Sequence, residues 1–97
     1  MSVEFAVEPV NKAWNDVVCL AIDRMHEEGG KCSLSYEAHL QKEKAGKLLV
    51  CTARANGEMV GYALVGDDDT HFILPRYRGY ESKLLGFAED QREARGM

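Results

Sequence analysis

Asn56-Gly57 interrupts two runs of apolar and β-forming residues, Leu48 to Arg54 and Glu58 to Val65. Asn-Gly readily supplies the two consecutive positive-φ residues that a two-residue hairpin needs, and it is the strongest short hairpin signal a sequence carries. An antiparallel pair is therefore the nucleus around which the rest of the chain must be arranged. After it, Gly66-Asp67-Asp68-Asp69 reads as a tight polar connection, and Thr70 to Leu74 reads as a further strand. Before it, Val3-Glu4-Phe5-Ala6-Val7 alternates and is closed by Pro9, as a short strand would be.

Three helices complete the expected order β, α, α, β, β, β, α. Asn11 is the expected N-cap of the first. Trp14, Val17, Val18, Ala21, Ile22 and Met25 recur at helical spacing until Gly29-Gly30, and this spacing alone assigns Trp14 to the core. Ser33 or Ser35 would cap the second, which carries Tyr36, Leu40 and Ala45 inward, turns Lys42, Lys44 and Lys47 outward, and ends near Gly46. Leu84, Leu85, Phe87 and Ala88 mark the last helix, with Ser82 as its expected cap and Gly96 at its end.

A chain of 97 residues makes one domain, residues 1–97, with a single small core. No segment approaches the roughly 20 apolar residues of a membrane span. MSVEFAVEPV lacks the basic-then-apolar pattern of an export signal, so a cytoplasmic location is expected. Cys19, Cys32 and Cys51 have no C-x-x-C spacing, which suits reduced thiols. The net charge of -4 argues against nucleic acid as a partner, while Arg76, Arg78 and Lys83 form a local patch suited to a small anion.

That patch lies in LPRYRGYESKLL, residues 74 to 85, where an apolar strand passes through an Arg/Gly loop into a helix. Glycines let backbone N–H groups approach phosphate oxygens, and the free N–H groups of a helix start favour the anion. GEMVGYALV (57 to 65), FILPRYRGYESKLLGFAEDQREARGM (72 to 97) and the element order together resemble the GNAT-type N-acetyltransferases. The resemblance is strongest to the small acetyltransferase-like proteins of tailed bacteriophages. It covers nearly the whole chain, as the first two-thirds of a GNAT-like α+β fold. It implies acetyl-CoA as cofactor, acetyl transfer to a primary amine and, for a phage-encoded chain, the host cytoplasm. It sets Arg76, Arg78, Gly79 and Ser82 near the phosphates and the backbone of Ile73 and Leu74 beside the pantetheine.

The chain departs from that family in two places. Its loop motif, R/Q-x-x-G-x-G/A, falls on Arg76, Gly79 and Glu81 when read without gaps, so a glutamate replaces the last glycine; read from PRYRG, Arg78 is the motif arginine and two residues are missing. A carboxylate there opposes a diphosphate, although an acidic residue also suits a helix's first turn. The family's next strand and its helix with a tyrosine acid are not found after Gly96-Met97. Weak or lost acetyl transfer is therefore expected. The alternative is a non-catalytic protein that binds and modulates a host enzyme or another protein, with the open sheet edge covered by that partner or by a homodimer.

No residue is singled out as catalytic. Glu58 and His71 are general-base candidates of equal standing. His71 after Asp67-Asp68-Asp69 reads as a solvated turn rather than a metal site, and His26 and His39 lack H-E-x-x-H spacing. Cys51 in a predicted strand reads as a buried structural thiol and Tyr62 as core.

Overall fold

The computed structural model describes residues 2–28, 36–66 and 70–96, with backbone alone for 22–28. Its order is β1 (Val3–Glu8), α1 (Val10–Glu28), α2 (Tyr36–Lys44), β2 (Leu48–Ala55), β3 (Glu58–Gly66), β4 (Thr70–Ile73), a 3₁₀ turn (Pro75–Tyr80) and α3 (Glu81–Ala94). The four strands form one antiparallel sheet in the order β1-β2-β3-β4. This is the α+β architecture expected from the sequence, an antiparallel sheet covered by three helices.

The hairpin forms where Asn56-Gly57 demands it. Ala55 faces Glu58, and φ is 54° at Asn56 and 82° at Gly57, the two positive values of a type I′ turn. Farther along, Ala53 faces Gly61 whereas Arg54 faces Met59, so Val60 is an extra residue and β3 bulges. The bulge keeps apolar side chains inward on both sides of the irregularity, Met59 on one face and Val60 on the other.

Strand alternation sorts the core into two layers. Leu48, Val50, Tyr62, Leu64 and Phe72 meet Val10, Ala13, Val17 and Leu20 of α1, with Trp14 and Leu40 at the margin. On the other face Leu49, Cys51, Ala53, Val60, Ala63 and Val65 meet Leu84 and Ala88 of α3. A fully buried leucine such as Leu84 contributes about 1.5–3 kcal/mol. Phe5 of β1 stacks on Phe87 at 6.0 Å, so β1 is held from the α3 side.

Helix ends explain where the sequence reading misses. The first free N–H of α1, that of Val10, donates to the Glu43 carboxylate of α2 at 2.8 Å, and Lys12 and Ala13 donate to Pro9 O. Pro9 therefore stands at the cap and Asn11 lies inside the helix. Helix α2 closes as expected at Gly46, φ 74°, with Lys47 N–H bonded to Lys42 O and Gly46 N–H to Glu43 O, the two bonds of a Schellman motif. Ala45 is exposed in that turn instead of packing inward. Ser82 is the second residue of α3 and caps nothing, because the 3₁₀ turn from Pro75 runs directly into the helix. Leu85, expected in the core, is 37% exposed. The Gly29-Gly30 stop, the Ser33 or Ser35 cap and the Asp67–Asp69 connection lie outside the described residues.

Candidate functional site

The junction of β4, the 3₁₀ turn and α3 holds all the residues expected to bind a cofactor. Leu74 N–H donates to Val60 O at 2.9 Å, and antiparallel alternation from that pair turns the backbone groups of Phe72 and Thr70 toward β3. Those of His71 and Ile73 consequently face outward, and among the described residues no strand lies beyond β4. The Ile73 side chain is buried over Gly61, whose missing Cβ leaves the room: an added one would stand 2.9 Å from Ile73 Cγ1.

The chain then winds along the helix axis without forming an open loop. Tyr77 N–H donates to Leu74 O at 2.8 Å and Glu81 N–H to Arg78 O, so these two N–H groups are already engaged by carbonyls of the same segment. Gly79 is not among the positive-φ glycines, and a Cβ there would meet nothing within 4 Å. The backbone cradle that glycines provide for phosphate is thus absent from this conformation. Charge comes from side chains instead. Arg76, Arg78 and Lys83 are exposed, with the Arg76 guanidinium 5.3 Å from the Tyr77 ring centre and Lys83 Nζ 5.5 Å from that of Tyr80. Glu81 is half-buried in the first turn and Ser82 is exposed beside it.

A second polar constellation was invisible in the sequence. Glu8 is 7% exposed, and its carboxylate accepts from Arg54 in both directions, Nε to Oε2 at 2.8 Å and Nη2 to Oε1 at 2.9 Å. Buried Thr52 donates its hydroxyl to the same Oε2. Arg54 also reaches Asp16 of α1 at 3.1 Å and Gly57 O of the hairpin at 3.1 Å. The Arg54 hydrogen bond holds the Glu8 carboxyl below its ordinary range against the opposing effect of burial, and Arg54 is correspondingly raised. Both Glu8 carboxylate oxygens are occupied, so the cluster ties β1, β2 and α1 together.

The remaining candidates do not converge. Glu58 opens β3 and is exposed, while His71 is exposed on β4 opposite Ala63, five strand positions or roughly 17 Å farther along. Cys51 is buried and its thiol is pushed up to about 11 by desolvation, an inert structural thiol. Tyr62 is 1% exposed and lies in the core beside Phe72. His39 rests against Trp14 at 5.0 Å, and the His26 side chain lies outside the described residues. Among the described residues no group of three or more His, Cys, Asp or Glu is arranged to hold a metal ion, and no helix is long and apolar enough to cross a membrane.

Among the described residues, grooves flank the sheet. One, of about 350 Å³, is lined by Glu8, Pro9, Glu43, Leu48 and Arg95 among others; another, of about 270 Å³, lies between α3 and the β3–β4 end, against Val65, His71, Leu85, Glu89 and Arg92. The chain matches no family model, no curated protein and no solved structure.

Proposed function

We propose that the protein is a GNAT-like acyl-CoA-binding domain in which acetyl transfer to a primary amine is weak or lost. The observation that carries this reading is the outward-facing backbone of Ile73 at the end of β4, followed within five residues by exposed Arg76 and Arg78. An extended pantetheine arm with its amides can add to such an edge, and a diphosphate at its end would meet the two guanidinium groups. The element order β-α-α-β-β-β-α and the resemblance of residues 57–65 and 72–97 support the same reading.

Loss of transfer follows from the same junction. Acetyl transfer draws most of its rate from placement and preorganised donors, and remote anchoring energy holds the reacting end. Here the anchor consists of flexible side chains beside Glu81, whose charge has the same sign as the diphosphate, and Glu58 and His71 are too far apart to act on one amine together.

Calorimetric titration with acetyl-CoA and with coenzyme A tests the reading. Saturable binding is expected, weakened roughly tenfold by Arg76→Ala or Arg78→Ala, the order of one charge-assisted bond. A thiol-release assay with amine acceptors is expected to show turnover slower than ~1 per second. No binding at millimolar ligand would remove the proposal.

The specific feature favouring a second reading, a non-catalytic interaction module, is the groove holding exposed Leu85 beside the open β4 edge.

A further inference from the structure

Strand β1 stops short of the start of β2. In the hairpin Ala55 exchanges bonds with Glu58, so its backbone groups face β3, and alternation turns those of Arg54, Thr52, Val50 and Leu48 toward β1. Val50 is met by Glu8, the last residue of β1. The chain position that would meet Leu48 is Val10, but Val10 has entered α1 and its N–H is held by the Glu43 carboxylate. Among the described residues no hydrogen-bond partner reaches the Leu48 N–H or C=O. A buried strand residue is thus left with one donor and one acceptor facing the groove of about 350 Å³.

The charges that line this groove are of both signs. Glu43, half-buried at the end of α2, gives Oε2 to Val10, and among the described residues its Oε1 carries no bond. Arg95 follows α3, the helix on the other face of the sheet; it is exposed, and it lies near enough to Cys51 to favour the thiolate. Glu8 is already matched by Arg54, with Lys12 also near.

We propose that the groove is a binding site for an α-amino acid, seated as the missing residue opposite Leu48. The ammonium donates to Leu48 O, the carboxylate accepts from Leu48 N–H, and Glu43 and Arg95 supply the two counter-charges. An α-amino acid is the smallest molecule that carries a donor and an acceptor at the spacing of a strand residue. Its direction follows from the sheet: antiparallel to β2, it continues β1, and its ammonium falls where the Val10 nitrogen would have stood, beside the carboxylate that Val10 N–H already reaches. The reverse direction would bring the carboxylate to Glu43. Pro9, Leu49 and Val50 border the space, so an apolar side chain suits it better than a charged one. This inference does not rest on cofactor binding.

Titration with L-leucine and L-phenylalanine, followed by calorimetry and by backbone amide chemical shifts, tests it. Saturable binding with Kd below ~1 mM is expected, with the Leu48 N–H among the most shifted amides. Leucine amide, which lacks the carboxylate, and N-acetyl-leucine, which lacks the ammonium, are each expected to bind at least roughly tenfold more weakly. Arg95→Ala and Glu43→Gln are expected to weaken L-leucine by about the same factor; Glu43→Gln keeps an oxygen for Val10 N–H, so the fold is retained. No saturation by either amino acid at ~10 mM, blocked forms that bind as well as the free amino acid, affinity indifferent to both variants, or a Leu48 amide that does not move overturns the inference.

Discussion

The β1 side of the sheet and the β4 side carry comparable numbers of charged residues to opposite ends. On the β1 side Glu8, Arg54, Asp16 and Thr52 bond to one another, with Glu8 and Thr52 buried and Asp16 at the solvent margin. On the β4 side Arg76, Arg78 and Lys83 stand in solvent, Arg76 and Lys83 each over a half-buried tyrosine, and the neighbouring strand leaves backbone groups facing outward. A satisfied cluster stabilises and does no chemistry; an unsatisfied surface contributes little to stability and is available to a ligand or partner. Substitutions on the two sides should therefore fall into different classes of effect.

The largest effect belongs to Arg54→Ala. It leaves the Glu8 carboxylate buried without its bidentate partner, and breaking such a pair costs about 3–5 kcal/mol. Because Arg54 is itself 23% exposed, the lower end is expected in urea unfolding. Arg78→Ala, on an exposed side chain, is expected to change stability by less than about 0.5 kcal/mol. Equal losses for the two would erase the distinction between the sides.

Acid gives a smaller, reversible version of the same test. The folded-state pKa of Glu8 lies below its ordinary value of 4.5, so its contribution is fully present above that value and is lost as pH falls through the folded-state pKa. Stability of the wild type is expected to fall more steeply below pH 4.5 than that of Arg54→Ala, in which the main cause of the shift is gone. Parallel acid profiles would show that other carboxylates dominate.

The contrast also explains what the sequence made legible. Asn56-Gly57 and Gly46 are local signals: each imposes its backbone within a few residues, and both elements stand where the sequence puts them. The α1 cap and the Arg54 cluster are long-range. Val10 is capped by Glu43, 33 positions away, and Glu8 meets Arg54 across 46. Within β1 the alternation of Val3, Phe5 and Val7 marks Glu8 as solvent-facing, and only Arg54 reaching over Thr52 makes its burial tolerable. At the candidate site the residue types were legible but the conformation was not. Pro75 starts a 3₁₀ turn that continues into α3, moving the cap position from Ser82 to Tyr80 and engaging N–H groups that an open loop would offer to an anion.

Glycine substitutions sharpen the comparison at intermediate size. Gly66 has φ 147°, and a Cβ there would stand 1.9 Å from Lys47 O, so Gly66→Ala must disturb the β2–β3 ladder. Gly79→Ala meets nothing within 4 Å at ordinary φ and is expected to change melting by no more than about 0.5 kcal/mol, with either sign. The proposed side-chain anchor predicts that Gly79→Ala also leaves coenzyme A affinity unchanged. A marked loss of affinity would show instead that the turn reopens into a backbone cradle when ligand binds.

The smallest effect is expected at Glu81, where the two roles of the junction oppose each other. Its carboxylate lies in the first turn of α3, close to the partial positive charge of the helix start, an arrangement worth about 0.3–1 kcal/mol to the helix. The same charge lies three residues from Arg78 and repels any phosphate that Arg78 would hold. Glu81→Gln keeps the shape and removes the charge. It is expected to lower stability by a few tenths of a kcal/mol and to strengthen coenzyme A binding a few-fold, with the gain shrinking as salt is raised. Chemical denaturation and calorimetry on the same variant separate the two effects. A stability loss with no gain in affinity would make Glu81 a helix residue alone and move the anion away from this turn.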